Sequence, residues 1–172
     1  LAEQTGGRFV LGLGVSHGPM VEGIRKLDYS KPLSQMRDYL AAMDASMYMA
    51  APPADKPLRL LAALGPKMLE LSATAADGAH PYFVTPEHTA EARAAIGPDK
   101  LLCVEQKVIV STDADAARAA ANIQIDRYAG LPNYRNNWLR IGFTDDEIEQ
   151  RAHRFVDHVI VWGDADTVRA GI

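Results

Sequence analysis

Four short apolar runs, each followed by turn residues and then by a stretch of helical period, recur along the chain, and no other feature restricts its fold as strongly. Residues 8–15 (RFVLGLGV), 58–64 (LRLLAAL), 79–84 (AHPYFV) and 101–112 (LLCVEQKVIVST) are rich in aliphatic and β-branched side chains. Continuous apolarity over so few residues is what a strand buried on both faces requires. Between the first two runs, residues 30–49 place Leu33, Met36, Leu40, Met43 and Met47 at spacings of three or four, which predicts a helix with one core-facing side. Gly65-Pro66 opens a helix over 67–76, with Pro in the favoured first turn. Thr85-Pro86-Glu87 reads as a cap, a first-turn Pro and a first-turn acid. Thr112 or Asp113 caps an Ala-rich helix running to about Tyr128. Residues 130–143 (GLPNYRNNWLRIGF) follow neither period and are expected as a loop, residues 144–150 open with a cap and three acids, and residues 155–162 (FVDHVIVW) are read as helix.

Strand and helix in alternation call for a parallel α/β fold over residues 1–172 as one domain. Four such units suit half of an eight-unit barrel or most of an open doubly wound sheet, and periodicity does not separate the two.

Composition removes several function classes. A net charge of −4 with no Lys/Arg run leaves no basic surface for nucleic acid or anionic lipid. No stretch reaches the roughly 20 apolar residues of a membrane helix, and LAEQTGGRF lacks the segments of a signal peptide, so a cytoplasmic protein is expected. Cys103 is the one cysteine and sits in an apolar run, where a buried, inert thiol is expected. The first residue is Leu and the last helix signal (DADTVRAGI) stops at once, so the sequence reads as an internal piece of a longer chain.

In a parallel α/β fold, chemistry belongs to the loops after the strands, here residues 14–19, 64–67, 80–86 and 110–113. Leu64-Gly65-Pro66-Lys67 suits a phosphate: Gly lets the backbone approach an anion, the helix start offers N–H groups, and Lys67 adds charge. A plain strand-to-helix turn is the other reading. Gly12-Leu13-Gly14 lacks the third small residue of a dinucleotide loop, since His17 stands there. His17, just past a strand end, suits proton exchange or a hydrogen bond to backbone. His80 and Tyr82 share a strand face by period two and either line a pocket or pack inside. His153 and His158 are poorly spaced for joint ligation, so no metal site is expected. Gly-x-Ser-x-Gly and a phosphate-binding Lys-Ser/Thr loop are both absent.

The phrases GGRFVLGLGV, RLLAALGPKMLELSATAADGAHPYFVTPEHT and GLPNYRNNWLRIGFTDDEI together resemble the luciferase-like monooxygenase family, in particular its coenzyme F420-dependent oxidoreductase branch, over essentially the whole chain. That resemblance implies a partial TIM (β/α)8 barrel holding about strands four to seven, the full barrel taking about 250 residues. It implies a phosphate loop formed by Ala62, Ala63, Leu64, Gly65, Pro66 and Lys67, and a ring lying beside Gly14 and Val15. Some relatives carry an acid near the position of Val15, so a proton role would pass to His17. His80 and Tyr82 would line the substrate pocket, while Tyr134, Arg135, Asn137 and Trp138 would cover cofactor or substrate or else form a surface or dimer element. The implied activity is hydride transfer between F420 and a small organic substrate. An FMN-dependent monooxygenase using O2 and a non-catalytic flavin-binding relative are the alternatives. A homo-oligomer is expected of the complete protein, and aggregation or dimerisation of an isolated half-barrel.

Overall fold

The computed structural model describes residues Leu1–Ile172 and divides into two compact units, Leu1–His80 with Ala94–Cys103, and Pro81–Arg93 with Val104–Ile172.

In the first unit, β1 (Val10–Leu13), β2 (Leu58–Leu61), β3 (Gly78–Ala79) and β4 (Leu101–Leu102) pair in that order, all parallel. Two helices cover one face of this sheet, α1 (Pro32–Ala45) and α2 (Pro66–Ala75). Leu13, Val15 and Leu61 point to them and pack with Met36, Leu40 and Leu71. Alternation then sends Val10, Gly12 and Gly14 to the opposite face with Leu58 and Ala62, and that face is largely exposed. The helix α1 is shorter than the apolar spacing predicts. It stops at Ala45, where Ser46 turns extended, so Met36 and Leu40 are buried while Met47 lies outside the helix and is 83% exposed. Past Val84, α3 (Pro86–Ile96) starts after Thr85, whose hydroxyl accepts a hydrogen bond from the His88 N–H, and its last residues belong to this unit.

The second unit is built on β5 (Val108–Val110) and β6 (Val161–Gly163), also parallel, with α4 (Ala114–Tyr128), α5 (Pro132–Arg140), α6 (Asp145–Glu149), α7 (His153–Val159) and α8 (Ala165–Ala170). Asp113 caps α4, one carboxylate oxygen accepting from the Asp115 and Ala116 N–H groups at 3.0 Å. Asp113→Ala is therefore expected to lower stability by about 1 kcal/mol, measured by urea denaturation, with Asp113→Ser close to wild type. Thr144 and Glu147 close a capping box on α6.

Three expectations are corrected. Residues 101–112 form two strands, because β4 pairs with β3 whereas β5 pairs with β6, and only the Tyr82–Glu105 bridge is formed in the interval. Residues 130–143 contain α5: Pro132 occupies the first turn, and Tyr134, Asn137 and Trp138, spaced three and one apart, bury one helical face. Asn and aromatic residues are only moderate helix formers, so burial decides there. Residues 155–162 are divided, α7 ending at Val159 and β6 beginning at Val161. The β-branched run 159–161 extends once Val161 N–H can bond Lys107 O at 3.1 Å. The chain thus has six parallel strands, two more than the four the sequence suggested.

Candidate functional site

The strand ends of the first unit converge on one row. Leu13 pairs with Leu61, Leu61 with Ala79 and Ala79 with Leu102. The ladder continues one step further through Ala62 N–H to Leu13 O (2.8 Å), His80 N–H to Leu61 O (2.8 Å) and Cys103 N–H to Ala79 O (2.9 Å). Gly14, Ala62, His80 and Cys103 therefore stand side by side across four strands, all exposed, on the face that α1 and α2 leave open. A Cβ on Gly14 would lie 3.2 Å from the Ala62 Cβ, so glycine here keeps the floor of the row low. Cys103 is exposed rather than buried as the sequence suggested, because its strand residue falls on this open face.

Beyond the row, the β1 end is held in an unusual shape. Ser16 has a positive φ of 62°, and the Tyr29 hydroxyl donates to its carbonyl at 2.7 Å. Half-buried with no strand pairing of its own, Tyr29 has its phenol pushed above its ordinary pKa by burial. The next carbonyl, of His17, accepts from both Met20 and Val21 at 3.0 Å and begins the π-helical turn Pro19–Ile24. Val15 packs into the core, and His17 is half-buried.

After β2, Ala63 is buried and Leu64 half-buried, while Gly65, Pro66 and Lys67 are exposed. Gly65 is the N-cap of the ten-residue α2, in extended backbone (φ −84°, ψ 155°), with nothing within 4 Å of where a Cβ would stand. Its carbonyl accepts from Met68 and Leu69 at 3.1 Å. Pro66 has no N–H, so the Gly65 and Lys67 amides are the donors that the helix start presents, with the positive end of the helix dipole behind them. A ring bearing a phosphate fits these residues: small side chains at 14 and 62, an open glycine at 65 and a cation at 67.

Tyr82, Tyr134 and Trp138 belong to the second unit and form part of its aromatic core. Trp138 is fully buried, its ring centroid 5.5 Å from Phe83 and 5.1 Å from Phe155, and Tyr134 is 5% exposed against Tyr128 at 4.7 Å. Trp138 is thus a packing residue and not the pocket wall expected of it, because α5 turns it inward with Asn137. Arg135 lies outward and pairs with Asp145 and Glu149.

A polar group lies in this aromatic core that the sequence expectations did not include. Lys107 donates to Glu105 at 2.9 Å and to the Tyr82 hydroxyl at 3.1 Å, Tyr82 and Tyr128 share a hydrogen bond of 2.9 Å, and Lys107 lies 4.7 Å from the Tyr82 ring centroid and 5.0 Å from that of Phe83. The signal was present: Glu105 and Lys107 are two apart, hence on one strand face, inside an apolar run. Phe83, fully buried, carries a positive φ of 56°, and its N–H donates to Glu105 at 2.9 Å. An aromatic residue held there marks a turn fixed by its surroundings. Burial opposes the charge on Lys107, but the hydrogen bonds to Glu105 and Tyr82 outweigh it and leave the ammonium above its ordinary pKa. Burial raises the Tyr128 and Tyr134 phenols as well. The lysine therefore stays charged and these two tyrosines neutral near neutral pH.

A cavity of about 290 Å³ lies at the other end of β2, lined by Asp44, Lys56, Arg59, Thr74 and Asp77 among others, away from the row. No three His, Cys, Asp or Glu side chains are grouped to hold a metal ion, and no helix is long and apolar enough to cross a membrane.

Parallel strands whose C-terminal ends carry an open, small-residue row beside an exposed helix start define an α/β scaffold of the kind that places ligand sites at its strand ends. The chain belongs to the luciferase-like monooxygenase family, whose profile matches residues 1–172. The Mycobacterium tuberculosis (strain H37Rv) protein named "Putative coenzyme F420-dependent oxidoreductase Rv3520c" is 27% identical over an alignment of 228 positions, gaps included, that covers 96% of this chain and 66% of that protein. The crystal structure of the monooxygenase RslO1 from Streptomyces bottropensis superposes with a TM-score of 0.58 at 16% identity, over 96% of this chain and 56% of that one. The second likeness supports the fold, part of a luciferase-like TIM barrel. The chain therefore spans just under two thirds of the one relative and just over half of the other.

Proposed function

We propose that this chain forms the cofactor-holding part of an F420-dependent oxidoreductase, which passes a hydride between the deazaflavin coenzyme and a small organic substrate. The observation that carries the reading is the exposed Gly65-Pro66-Lys67 start of α2, placed directly after the small-residue end of β2. The name of the Mycobacterium tuberculosis relative favours F420 over FMN. Bound at this site, the deazaflavin supplies two-electron hydride chemistry. The protein's own share is to hold the phosphate with the Gly65 and Lys67 amides and the Lys67 ammonium, and to offer Gly14 and Ala62 as a flat floor.

The test is a fluorescence titration of the complete protein with F420 and with FMN, using wild type, Gly65→Asp and Lys67→Glu. Aspartate is at least as good a helix cap as glycine, and its side chain enters open space at position 65, so Gly65→Asp should fold with an unchanged melting temperature. Each variant is expected to bind F420 about 10- to 100-fold more weakly, the range set by a charge-assisted contact of about 1.5–3 kcal/mol. Tighter binding of FMN than of F420 would move the reading to a flavin monooxygenase. Unaltered affinity in both variants would remove the phosphate site.

A further inference from the structure

We propose that His80 is the acid–base residue of this site and that it acts through Nε2. The inference rests on the cofactor reading above and adds to it the residue that handles the substrate's proton.

His80 Nδ1 lies 2.5 Å from the carbonyl oxygen of Cys103 on the neighbouring strand. A carbonyl only accepts, so Nδ1 carries the hydrogen. In the neutral ring the lone pair is then on Nε2, and in the protonated ring Nε2–H is the proton that can leave. The bond also fixes the ring: it ties the side chain of one strand end to the backbone of the next, and the two residues are ladder neighbours. A general base needs both conditions, a defined lone pair and a held orientation.

Position supplies the second argument. His80 is exposed and shares the row with Gly14 and Ala62, whose small side chains leave room for a flat molecule beside the imidazole. The chain has five histidines. His88 is fully buried, His153 and His158 lie on α7, and His158 already faces Glu87 at 3.0 Å. His17 is half-buried at a kinked strand end, where its carbonyl accepts from Met20 and Val21. His80 alone combines a strand C-terminus, exposure and a second-residue anchor on the open face.

The substrate class that this chemistry takes has a polarised double bond, a carbonyl, an imine or a conjugated alkene, or the corresponding alcohol or amine in reverse. In reduction, a bound reduced deazaflavin would supply the hydride that becomes the new C–H bond at carbon. His80 Nε2–H gives its proton to the oxygen or nitrogen, or to the α-carbon of the conjugated system. The substrate gains a hydride and a proton, that is two electrons and two hydrogens; the coenzyme would give up the hydride, and the imidazolium returns to imidazole to be reprotonated from water. Oxidation runs the same exchange backwards, Nε2 taking the hydroxyl proton.

The test uses the full-length protein with 15N-labelled histidine. Long-range 1H–15N spectra report which ring nitrogen is protonated, and His80→Asn assigns the resonance. Asparagine is the chosen variant because its amide can keep a donor near the Cys103 carbonyl while removing Nε2. Expected are the Nδ1–H tautomer for His80 and a shift of its Nε2 signal on saturation with F420, with His153 unmoved. With a conjugated ketone as probe acceptor, His80→Asn should bind F420 within about twofold of wild type yet lose about 100-fold or more in kcat. An Nε2–H tautomer, an unmoved His80 signal in F420-saturated protein, or a kcat within threefold of wild type would each overturn the assignment while leaving the cofactor reading intact. Failure to bind either F420 or FMN would remove both.

Discussion

Gly78→Ala is expected to disrupt the first unit, with a loss of about 3 kcal/mol or more in unfolding free energy, beyond the usual range for a single added methyl. The cause is backbone, not side chain. A Cβ on Gly78 would stand 2.0 Å from the Leu101 carbonyl oxygen, 2.7 Å from its carbon and 2.9 Å from its Cα. No rotamer change relieves such contacts. β3 and β4 would have to separate, and with them the bonds from Leu101 N–H to Asp77 O (3.0 Å) and from Cys103 N–H to Ala79 O (2.9 Å). Thermal unfolding followed by circular dichroism should show a fall of about 6–12 °C, taking about 2–4 °C per kcal/mol for a chain of this size. Gly65→Ala is the control, since it too replaces a glycine but meets nothing within 4 Å and needs no special backbone angle. Equal melting temperatures for the two variants would contradict the close strand approach.

The second large effect belongs to Trp138. Its ring is fully buried, edge-on to Phe83 (83°) and to Phe155 (70°), and 6.3 Å from Tyr134. Trp138→Ala leaves a cavity among aromatic rings that cannot all collapse into it, so a loss of about 3–5 kcal/mol is expected, with Trp138→Phe losing clearly less. Guanidinium denaturation would measure both. A loss below about 1 kcal/mol for the alanine variant would show that the ring contributes little to packing and would restore a pocket role for it.

The architecture was legible where apolar runs are short and turns are chemically explicit. β1, β2 and β5 fall inside the predicted runs, and α2, α3 and α4 lie where predicted because each starts at a residue with a defined job, Pro66, Thr85 or Asp113. What escaped has physical reasons. Trp138 and Tyr134 form a helical face only because the second unit buries them, and Asn-rich local sequence does not announce that. The division of residues 101–112 depends on which neighbour each half pairs with, a tertiary fact. The same holds for the candidate site. Gly65 and Lys67 could be named from turn chemistry alone, whereas Gly14, Ala62, His80 and Cys103 become one row only through strand register, and register is a property of four segments together. Lys107 and Glu105 were visible as a period-two pair but looked like ordinary polar residues within a strand.

The exposed position of Cys103 has a practical side. It is the chain's one thiol, and it stands next to His80 on the open face. A maleimide dye or a thiol-reactive spin label therefore reacts with this chain at a single address, the edge of the row. The fold comes with its own labelling handle at the place where a bound ring would be felt.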